Sequence, residues 1–250
     1  MSQPTSLPQV ARIAHVTEES AKVRTLTLDL RLEAAPGQFV MAWLPGVDEK
    51  PFSLTRADPV MLTVARVGPF SAAIHALGLG DRLWIRGPLG QPFTLPGSRA
   101  LAEHPESRLL LVAGGYGVAP LHFLAERALA TGWEVSTVIG AETAEEVVLG
   151  SRFEALGARV EVTTDDGSLG QRGVATEAAV RLLDEWHYQA LYACGPEPML
   201  DAVEKLARQH KLPTQLSYER YMRCGFGVCG SCVREGWLVC RDGPVKFISP

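Results

Sequence analysis

The sequence lacks the features that mark several classes of protein. It has no run of basic residues and a net charge of −4, so neither nucleic acid nor an anionic membrane surface is an expected partner. It has no apolar run long enough for a membrane-spanning helix, and its start, MSQPTSLPQV, lacks the basic and apolar regions of a signal peptide. The composition, 46% hydrophobic and 21% charged residues, predicts a soluble globular protein, and the lack of a signal-peptide pattern predicts a cytoplasmic one.

Cysteine is scarce as well, but four of the five cysteines crowd together between Cys224 and Cys240. A disulfide knot, a zinc site or a redox cluster could explain this crowding. Thiols stay reduced in the cytoplasm, which disfavours disulfides. Structural zinc usually draws its ligands from two paired knuckles, and this segment contains a single C-x2-C, Cys229 and Cys232.

The spacing of these cysteines favours an iron–sulfur cluster. Cys224, Cys229 and Cys232 form C-x4-C-x2-C and Cys240 follows, which is the arrangement of plant-type 2Fe–2S proteins. A loop around such a cluster must bring backbone N–H groups close to its sulfurs. We predict a 2Fe–2S cluster on the four cysteines, with zinc as the alternative; three interleaved glycines would give the loop its freedom: Gly225, Gly227 and Gly230.

The rest of the chain divides into a β-rich and an α/β part. Residues 1–100 contain short alternating strands, Gly/Pro turns and one small helix with Ser71 as its expected N-cap, which predicts an antiparallel β-barrel domain. Residues 101–215 alternate apolar strands with helices, one of them over 144–157, which predicts a doubly wound α/β domain. Residues 216–250 form the cluster segment.

Two glycine-rich turns follow strands of the α/β part. AGGYGVAP closes an apolar strand and opens a helix, an arrangement that suits a dinucleotide pyrophosphate, although tight packing explains many such turns. ACGPEPM follows a later strand, where loops line the ligand crevice of a parallel sheet. Alternatively, Cys194 could be a small buried residue that only packs in the core. The residues of these turns predicted to bind nucleotide are Gly114, Gly115, Gly117, Gly195 and Pro196, and a binding role for Cys194 depends on the resemblance described below.

Acidic residues suggest which nucleotide is bound. Glu142 ends the second strand of the α/β part, and Asp166 lies in the loop TTDDGSLGQRG, which could also be an ordinary solvated turn. An acid at the position of Glu142 accepts a hydrogen bond from the adenine ribose, and acids in both loops repel an extra phosphate, which favours NAD over NADP.

The quoted motifs together resemble the ferredoxin–NADP reductase superfamily. The resemblance is strongest to the iron–sulfur electron-transfer subunits of NAD-dependent dihydroorotate dehydrogenases, and it covers nearly the whole chain. PGQFVMAW and KPFSL are similar to flavin-binding strands, and LSYERYMRCGFGVCGSC…CRDGPV is similar to the cluster segment. Three departures are Lys50, where the family usually has Arg, a short gap before Cys240, and Lys246 inside DGPVKF.

The resemblance implies FAD in the barrel. Ser53 would lie near the flavin N5, Lys50 and Ser71 would face the pyrophosphate, and Cys194 would lie near the nicotinamide and flavin rings, so that Ser53 and Cys194 are the predicted catalytic residues. A Lys at such a position is otherwise an ordinary surface charge. The predicted FAD-binding set is Lys50, Pro51, Phe52, Ser53, Leu54, Val67, Gly68 and Ser71.

The resemblance also implies the activity. An FMN-containing dihydroorotate dehydrogenase subunit would pass electrons through the 2Fe–2S cluster and FAD to NAD+, in pyrimidine biosynthesis, within a hetero-oligomer such as a heterotetramer. The relay needs no acid–base triad, and six scattered histidines offer none. The alternatives are a subunit of an NAD(P)H-linked ferredoxin, sulfide or hydrogenase reductase and, outside the enzymes, a zinc-stabilised scaffold.

Overall fold

The computed structural model describes residues 7–97 and 107–249, which form two compact units. The first unit contains the described residues up to Pro92 together with Glu219–Val245, and the second contains Phe93–Tyr218 and the residues from Lys246 onward. The predicted boundary between residues 100 and 101 lies outside the described residues. Among the described residues, no helix is long and apolar enough to cross a membrane.

The first unit is built on a seven-stranded antiparallel sheet in the order β4-β3-β7-β1-β2-β6-β5. Strand β4 also contacts β6, near the other end of this order, so the sheet curls into a barrel-like shape. Its interior holds buried aliphatic side chains that alternate with outward polar ones, as a half-buried sheet requires. The strands are β1 Gln9–Ser20, β2 Val23–Leu28, β3 Phe39–Leu44, β4 Asp48–Ser53, β5 Arg56–Ala57, β6 Val60–Ala65 and β7 Arg82–Leu89.

The short helix of the barrel, α1, spans Pro69–His75 and begins earlier than predicted. Its N-cap is Gly68, so the prediction of Ser71 as the N-cap is wrong. Proline is favoured in the first helical turn because its missing N–H is not needed there, and Pro69 fixes the start. The Ser71 hydroxyl instead reaches back and accepts hydrogen bonds from the N–H groups of Val67 and Gly68, at 2.9 and 3.0 Å.

The second unit is an α/β layer structure around a seven-stranded sheet in the order β11-β10-β9-β8-β12-β13-β16. The strands from β11 to β13 run parallel. The chain reverses its direction across the sheet between β8 and β12, which places a crevice at their carboxyl ends. The strands are β8 Arg108–Gly114, β9 Glu134–Ala141, β10 Arg159–Thr164, β11 Gln171–Arg172, β12 Tyr188–Cys194, β13 Thr214–Ser217 and β16 Val245–Ile248.

The helices of the second unit agree with the predicted order except at one place. The helix predicted over 144–157 is a 3-10 turn, Ala144–Glu146, followed by a separate short helix. Leu149 breaks the run because it adopts a left-handed conformation with φ of 62°. The helices are α2 Val118–Ala130, preceded by a 3-10 turn at Gly115–Gly117, α3 Gly150–Leu156, α4 Ala175–Glu185 and α5 Glu197–His210.

The central part of the cluster segment, from Glu219 onward to the start of β16, packs on the barrel of the first unit. It contains a small hairpin of β14 Val233–Arg234 and β15 Trp237–Leu238, followed by a helical turn, α6 Val239–Asp242. The side chain and backbone N–H of Gln91, just after β7, donate hydrogen bonds to the carbonyls of Arg241 and Gly243. These two hydrogen bonds hold Arg241 and Gly243 against the end of β7.

Candidate functional site: a flavin groove beside a cysteine cluster

A groove of about 570 Å³ opens on the first unit between β4, the start of α1 and the beginning of the cluster segment. Aromatic and aliphatic side chains form most of its walls, which suits a planar ring system. Six of the eight residues predicted to bind FAD line it: Lys50, Pro51, Phe52, Val67, Gly68 and Ser71. Sequence reasoning missed the other eight lining residues. Three of them, Arg220, Tyr221 and Met222, approach the groove only through tertiary structure. The other five are near the predicted ones along the chain: Val47, Asp48, Ala65, Pro69 and Phe70.

The other two predicted residues adjoin the groove without lining it. Ser53 ends β4 and is half-buried, and Leu54 is fully buried beneath the strand. Ser71 lines the groove, but its hydroxyl already accepts two backbone N–H groups and donates to the Gly68 carbonyl at 3.0 Å. The hydroxyl therefore shapes the Val67–Gly68 turn, which leaves the turn to contact a ligand.

Lys50 provides positive charge at this groove. Its Nζ lies 2.5 Å from Asp48 Oδ2 and 5.3 Å from the centre of the Tyr221 ring. The hydrogen bond from Lys50 keeps the pKa of Asp48 below its usual range. Part of the lysine charge is therefore compensated by a neighbour that also lines the groove, and an anionic ligand would compete with Asp48 for it.

The four cysteines of the cluster segment form an inner and an outer pair, and all are thiols rather than halves of disulfides. Cys232 and Cys240 are buried in an apolar cluster with Phe39, Met41 and Leu89 of the barrel. The Cys240 N–H donates to Cys232 Sγ at 3.5 Å. Burial, reinforced by the neighbouring Cys232, raises the pKa of Cys240 to about 12.

The outer pair has the opposite character. Cys224 is half-buried and Cys229 is exposed. Cys229 Sγ lies 3.4 Å from the Ser231 hydroxyl. Hydrogen bonds from Ser231, and then from Cys224, lower the pKa of Cys229 to about 6. Cys229 is therefore the cysteine of the site whose lowered pKa favours a thiolate at neutral pH.

The four thiols of the cluster segment are donors of the type that a 2Fe–2S cluster takes. Within residues 7–97 and 107–249, no group of three or more His, Cys, Asp or Glu side chains is disposed to hold one metal ion. Four cysteine thiols in two neighbouring pairs are the ligand set of a two-iron cluster. The glycines between them have the expected freedom: Gly225 at φ of 74°, Gly227 at 90° and Gly230 at 72°.

An arginine–glutamate pair that sequence reasoning missed joins the barrel to the cluster segment. Arg86 of β7 binds both carboxylate oxygens of Glu49 on β4, each at 3.1 Å. Its guanidinium also donates to the Cys224 carbonyl at 2.8 Å, across 138 residues of sequence. No short-range pattern signals such a contact, so the sequence alone could not reveal it.

The glycine turns of the second unit meet at the crevice between β8 and β12. A Cβ on Gly117 would lie 2.2 Å from the Cys194 carbonyl oxygen, and one on Gly195 would lie 2.9 Å from the Gly114 backbone. Tight packing of the two turns therefore accounts for these glycines. Gly115 differs, because it has φ of 51° and open space around its Cα. Cys194 is buried, and the exposed Pro196 precedes α5.

The two acidic residues also lie on neighbouring loops. The Asp166 N–H donates to the Glu142 carbonyl at 3.3 Å, and both residues are exposed. The Asp166 carboxylate accepts from the hydroxyl and N–H of Ser168, at 2.6 and 2.9 Å. The hydroxyl contact is the main reason that the pKa of Asp166 lies below its usual range. Asp166 is thus held as a carboxylate beside the end of β9.

A barrel-like antiparallel unit followed by a parallel sheet of this order defines the ferredoxin reductase-like class. The structure of NADH-dependent reduced ferredoxin–NADP oxidoreductase, described for flavin-based electron bifurcation, superimposes with a TM-score of 0.81 at 26% identity, over 96% of this chain and 88% of that one. The ferredoxin reductase of carbazole 1,9a-dioxygenase shares the fold, with a TM-score of 0.69 at 23% identity over 85% and 68% of the two chains.

Sequence relatives define the family within this class. Residues 219–247 match the iron–sulfur cluster binding domain of dihydroorotate dehydrogenase B. The probable dihydroorotate dehydrogenase B (NAD(+)) electron transfer subunit of Methanocaldococcus jannaschii is 42% identical over 240 residues, 95% of this chain and 89% of that protein. The corresponding protein of Thermococcus kodakarensis is 43% identical over 237 residues, 95% of each chain. The chain belongs to the family of dihydroorotate dehydrogenase B electron transfer subunits.

This membership confirms the resemblance drawn from the motifs and the predicted fold class of a barrel, a doubly wound domain and a cluster segment. It also confirms an oxidoreductase subunit with FAD, a 2Fe–2S cluster and NAD as its cofactor set. The assignment of individual residues to these cofactors, and the domain limits at residues 100 and 215, stay predictions.

Proposed function

We propose that this chain relays electrons between NAD and a partner dihydroorotate dehydrogenase subunit that carries FMN. The observation that carries the proposal is the continuity of the first unit. Arg220, Tyr221 and Met222 line the groove expected to hold flavin, and Cys224 follows only two residues after Met222. Bound FAD exchanges hydride with a nicotinamide and single electrons with an iron–sulfur cluster, so it converts two-electron into one-electron transfer.

The residues of the groove are assigned to FAD. Phe52 and Phe70, whose rings lie 6.1 Å apart, form apolar walls, and Pro51 continues the wall along β4. Lys50 would neutralise one pyrophosphate charge, and the Val67–Gly68 turn at the start of α1 would contact the same group. Ser53 would face the reactive edge of the flavin, and Leu54 supports it from the core.

The residues of the second unit are assigned to NAD. The Gly114–Gly117 turn presents backbone N–H groups and the start of α2 to the pyrophosphate. Glu142 and Asp166 would accept from the adenine ribose and repel a 2′-phosphate. Cys194, Gly195 and Pro196 would border the nicotinamide. We expect NADH to be oxidised faster than NADPH with an artificial acceptor; preference for NADPH would contradict the use of the two acids.

The cluster segment is assigned to the partner side. Cys224, Cys229, Cys232 and Cys240 would hold the cluster, and Cys229 is the exposed member. Exposed apolar side chains flank it, namely Phe226, Val228 and Val233, which is the composition of a surface that a partner covers. We place this hetero-oligomer, in the heterotetrameric form implied by the family resemblance, in the cytoplasm, where the thiols stay reduced before cluster assembly.

Composition and turnover test the proposal. The purified protein should be yellow-brown and contain FAD, iron and acid-labile sulfide, and its complex with the partner should reduce NAD+ with dihydroorotate. A colourless, zinc-containing protein would replace the proposal with a scaffold.

The NADH-dependent reduced ferredoxin–NADP oxidoreductase structure, which matches 96% of this chain, supports a second candidate, an NAD(P)H-linked ferredoxin reductase subunit. The second candidate would be favoured by a flavin- and iron-containing complex that reduces NAD+ with ferredoxin and fails to do so with dihydroorotate.

A further inference from the structure

Arg86 is an almost buried charge where the barrel meets the cluster segment. Its side chain is 11% exposed and that of Glu49 is 26% exposed, so solvent screens the pair far less than a surface pair. The fork of the guanidinium matches the two carboxylate oxygens, which fixes its plane as well as its position. Glu49 immediately precedes Lys50, the first of the predicted flavin residues on β4.

The same guanidinium reaches the cluster loop by two contacts. It donates to the carbonyl of Cys224, and it lies 5.4 Å from the centre of the Phe226 ring. Its remaining nitrogen, Nη1, is buried and makes no hydrogen bond within the part of the chain that the structure describes. Nη1 can therefore donate a hydrogen bond, and bring its share of the positive charge, to a group bound beside it.

From these contacts we propose that Arg86 is a positioning residue for the iron–sulfur cluster. It holds the Cys224 backbone against β4, the strand that carries the predicted flavin residues, and its charge raises the reduction potential of the cluster. The inference rests on the proposed function, since it requires Cys224 to be a cluster ligand.

The expected effect of the Arg86 charge on the reduction potential has a definite direction. One-electron reduction adds one negative charge to an iron–sulfur site, and a cation in a poorly screened environment favours the form with more negative charge. Arg86 therefore favours the reduced form, and the carboxylate of Glu49 opposes it. Removing the arginine charge should lower the potential, whereas removing the glutamate charge should raise it.

The positioning part depends on the shape of the guanidinium. Lysine has one ammonium group, which cannot bind two carboxylate oxygens and a carbonyl in the same plane. Arg86→Lys therefore keeps the charge but loosens the loop. A looser loop should release iron faster, with a potential closer to that of the wild type than Arg86→Met gives.

The test is an anaerobic redox titration of the whole FAD- and cluster-containing protein, monitored by EPR, with iron release to a chelator as a second readout. The variants are Arg86→Met, Arg86→Lys and Glu49→Gln. Arg82→Met is the matched control, because it removes a positive charge from an exposed position on the same strand. We expect a lower potential for Arg86→Met, a higher one for Glu49→Gln, several-fold faster iron release for Arg86→Lys, and no change for Arg82→Met.

Opposite shifts from Arg86→Met and Glu49→Gln cannot arise from general damage, which would move both variants alike. Shifts in the same direction, no shift in either, or wild-type iron release from Arg86→Lys would overturn the inference. If Arg86→Met fails to fold, a raised potential in Glu49→Gln and faster release in Arg86→Lys decide the matter. A wild-type protein without iron would instead contradict the proposed function.

Discussion

The inner and outer halves of the cluster segment use the same residue types in different physical settings. The inner half, Gly225, Cys232 and Cys240, packs against Met41 and Leu89 of the barrel. The outer half, Val228, Cys229 and Gly230, is exposed to solvent.

This difference indicates that the two halves have different roles. The inner half ties the cluster site to the unit that carries the flavin groove, so changes there should lower stability together with cluster content. The outer half makes few contacts of its own, so changes there should affect the cluster or the partner and leave the fold intact. Paired substitutions, one in each half, test this division.

The glycine pair should show the largest difference in stability. Alanine at Gly225 would combine a positive φ with a Cβ 2.9 Å from Met41 Cγ and 3.1 Å from Leu89 Cδ1. Strained φ costs about 1–2 kcal/mol and overpacking about 1–3 kcal/mol, so the free energy of unfolding should fall by roughly 2–5 kcal/mol. Gly230→Ala shares the positive φ but meets nothing within 4 Å, and it should lose only the first contribution. If chemical denaturation showed that the two variants lose equal amounts of unfolding free energy, the difference between the inner and outer halves would be contradicted.

The cysteine pair should show a smaller difference. Both Cys240→Ser and Cys229→Ser should abolish the native 2Fe–2S signal, since each removes a thiolate. In protein prepared without iron, Cys240→Ser places a hydroxyl in an apolar cluster and should lower the free energy of unfolding by about 1–3 kcal/mol. Cys229→Ser should stay within about 0.5 kcal/mol, because the site is exposed. Reversal of this order in chemical denaturation would show that the inner cysteines do not support the barrel.

In iron-free protein, cysteines of the outer and inner pairs should be alkylated at different rates. The thiolate is the nucleophile, so Cys229, with a pKa of about 6, should react first with iodoacetamide, and its rate should rise with pH and level off above neutrality. Cys240, buried and with a pKa of about 12, should react last throughout this range. Peptide mass spectrometry over time gives the order. Early labelling of Cys240 would mean that the inner pair is not packed as described.

The smallest effect on the isolated chain should come from Val228→Asp. Val228 is 74% exposed, so its replacement should leave the melting temperature and the FAD and iron contents unchanged. The added charge should nonetheless weaken binding of the dehydrogenase partner if the outer half is the docking face. Leu79→Asp, at a barrel position that is also 74% exposed but does not line the flavin groove, is the control for partner binding. Unchanged partner affinity in size-exclusion or titration experiments would exclude Val228 from the interface.

Local sequence predicted the parts of the site that depend on local chemistry. The cysteine spacing indicated a two-iron cluster, and the glycines beside the cysteines have the positive φ values that such a loop needs. The alternation of strands and helices predicted the doubly wound sheet, because a buried parallel strand such as β8 is a continuous apolar run.

Contacts between distant segments could not be predicted in the same way. Arg86 and Cys224 are brought together only by the folded barrel, and the residues Arg220–Met222 reach the groove for the same reason. The errors at Ser71 and at 144–157 have local causes. Proline at the first helical position outweighed serine as the start signal, and Leu149 adopts a conformation that its residue type rarely takes.

The central claim is that one chain passes electrons between NAD and an iron–sulfur cluster through its own flavin. The most direct measurement is rapid anaerobic mixing of the purified subunit with NADH, followed by optical and EPR spectra of the flavin and the cluster. We expect flavin bleaching together with the signal of a reduced 2Fe–2S cluster, and bleaching without the native cluster signal in Cys229→Ser. Flavin bleaching in wild-type protein with an oxidised cluster that dithionite then reduces would contradict the account.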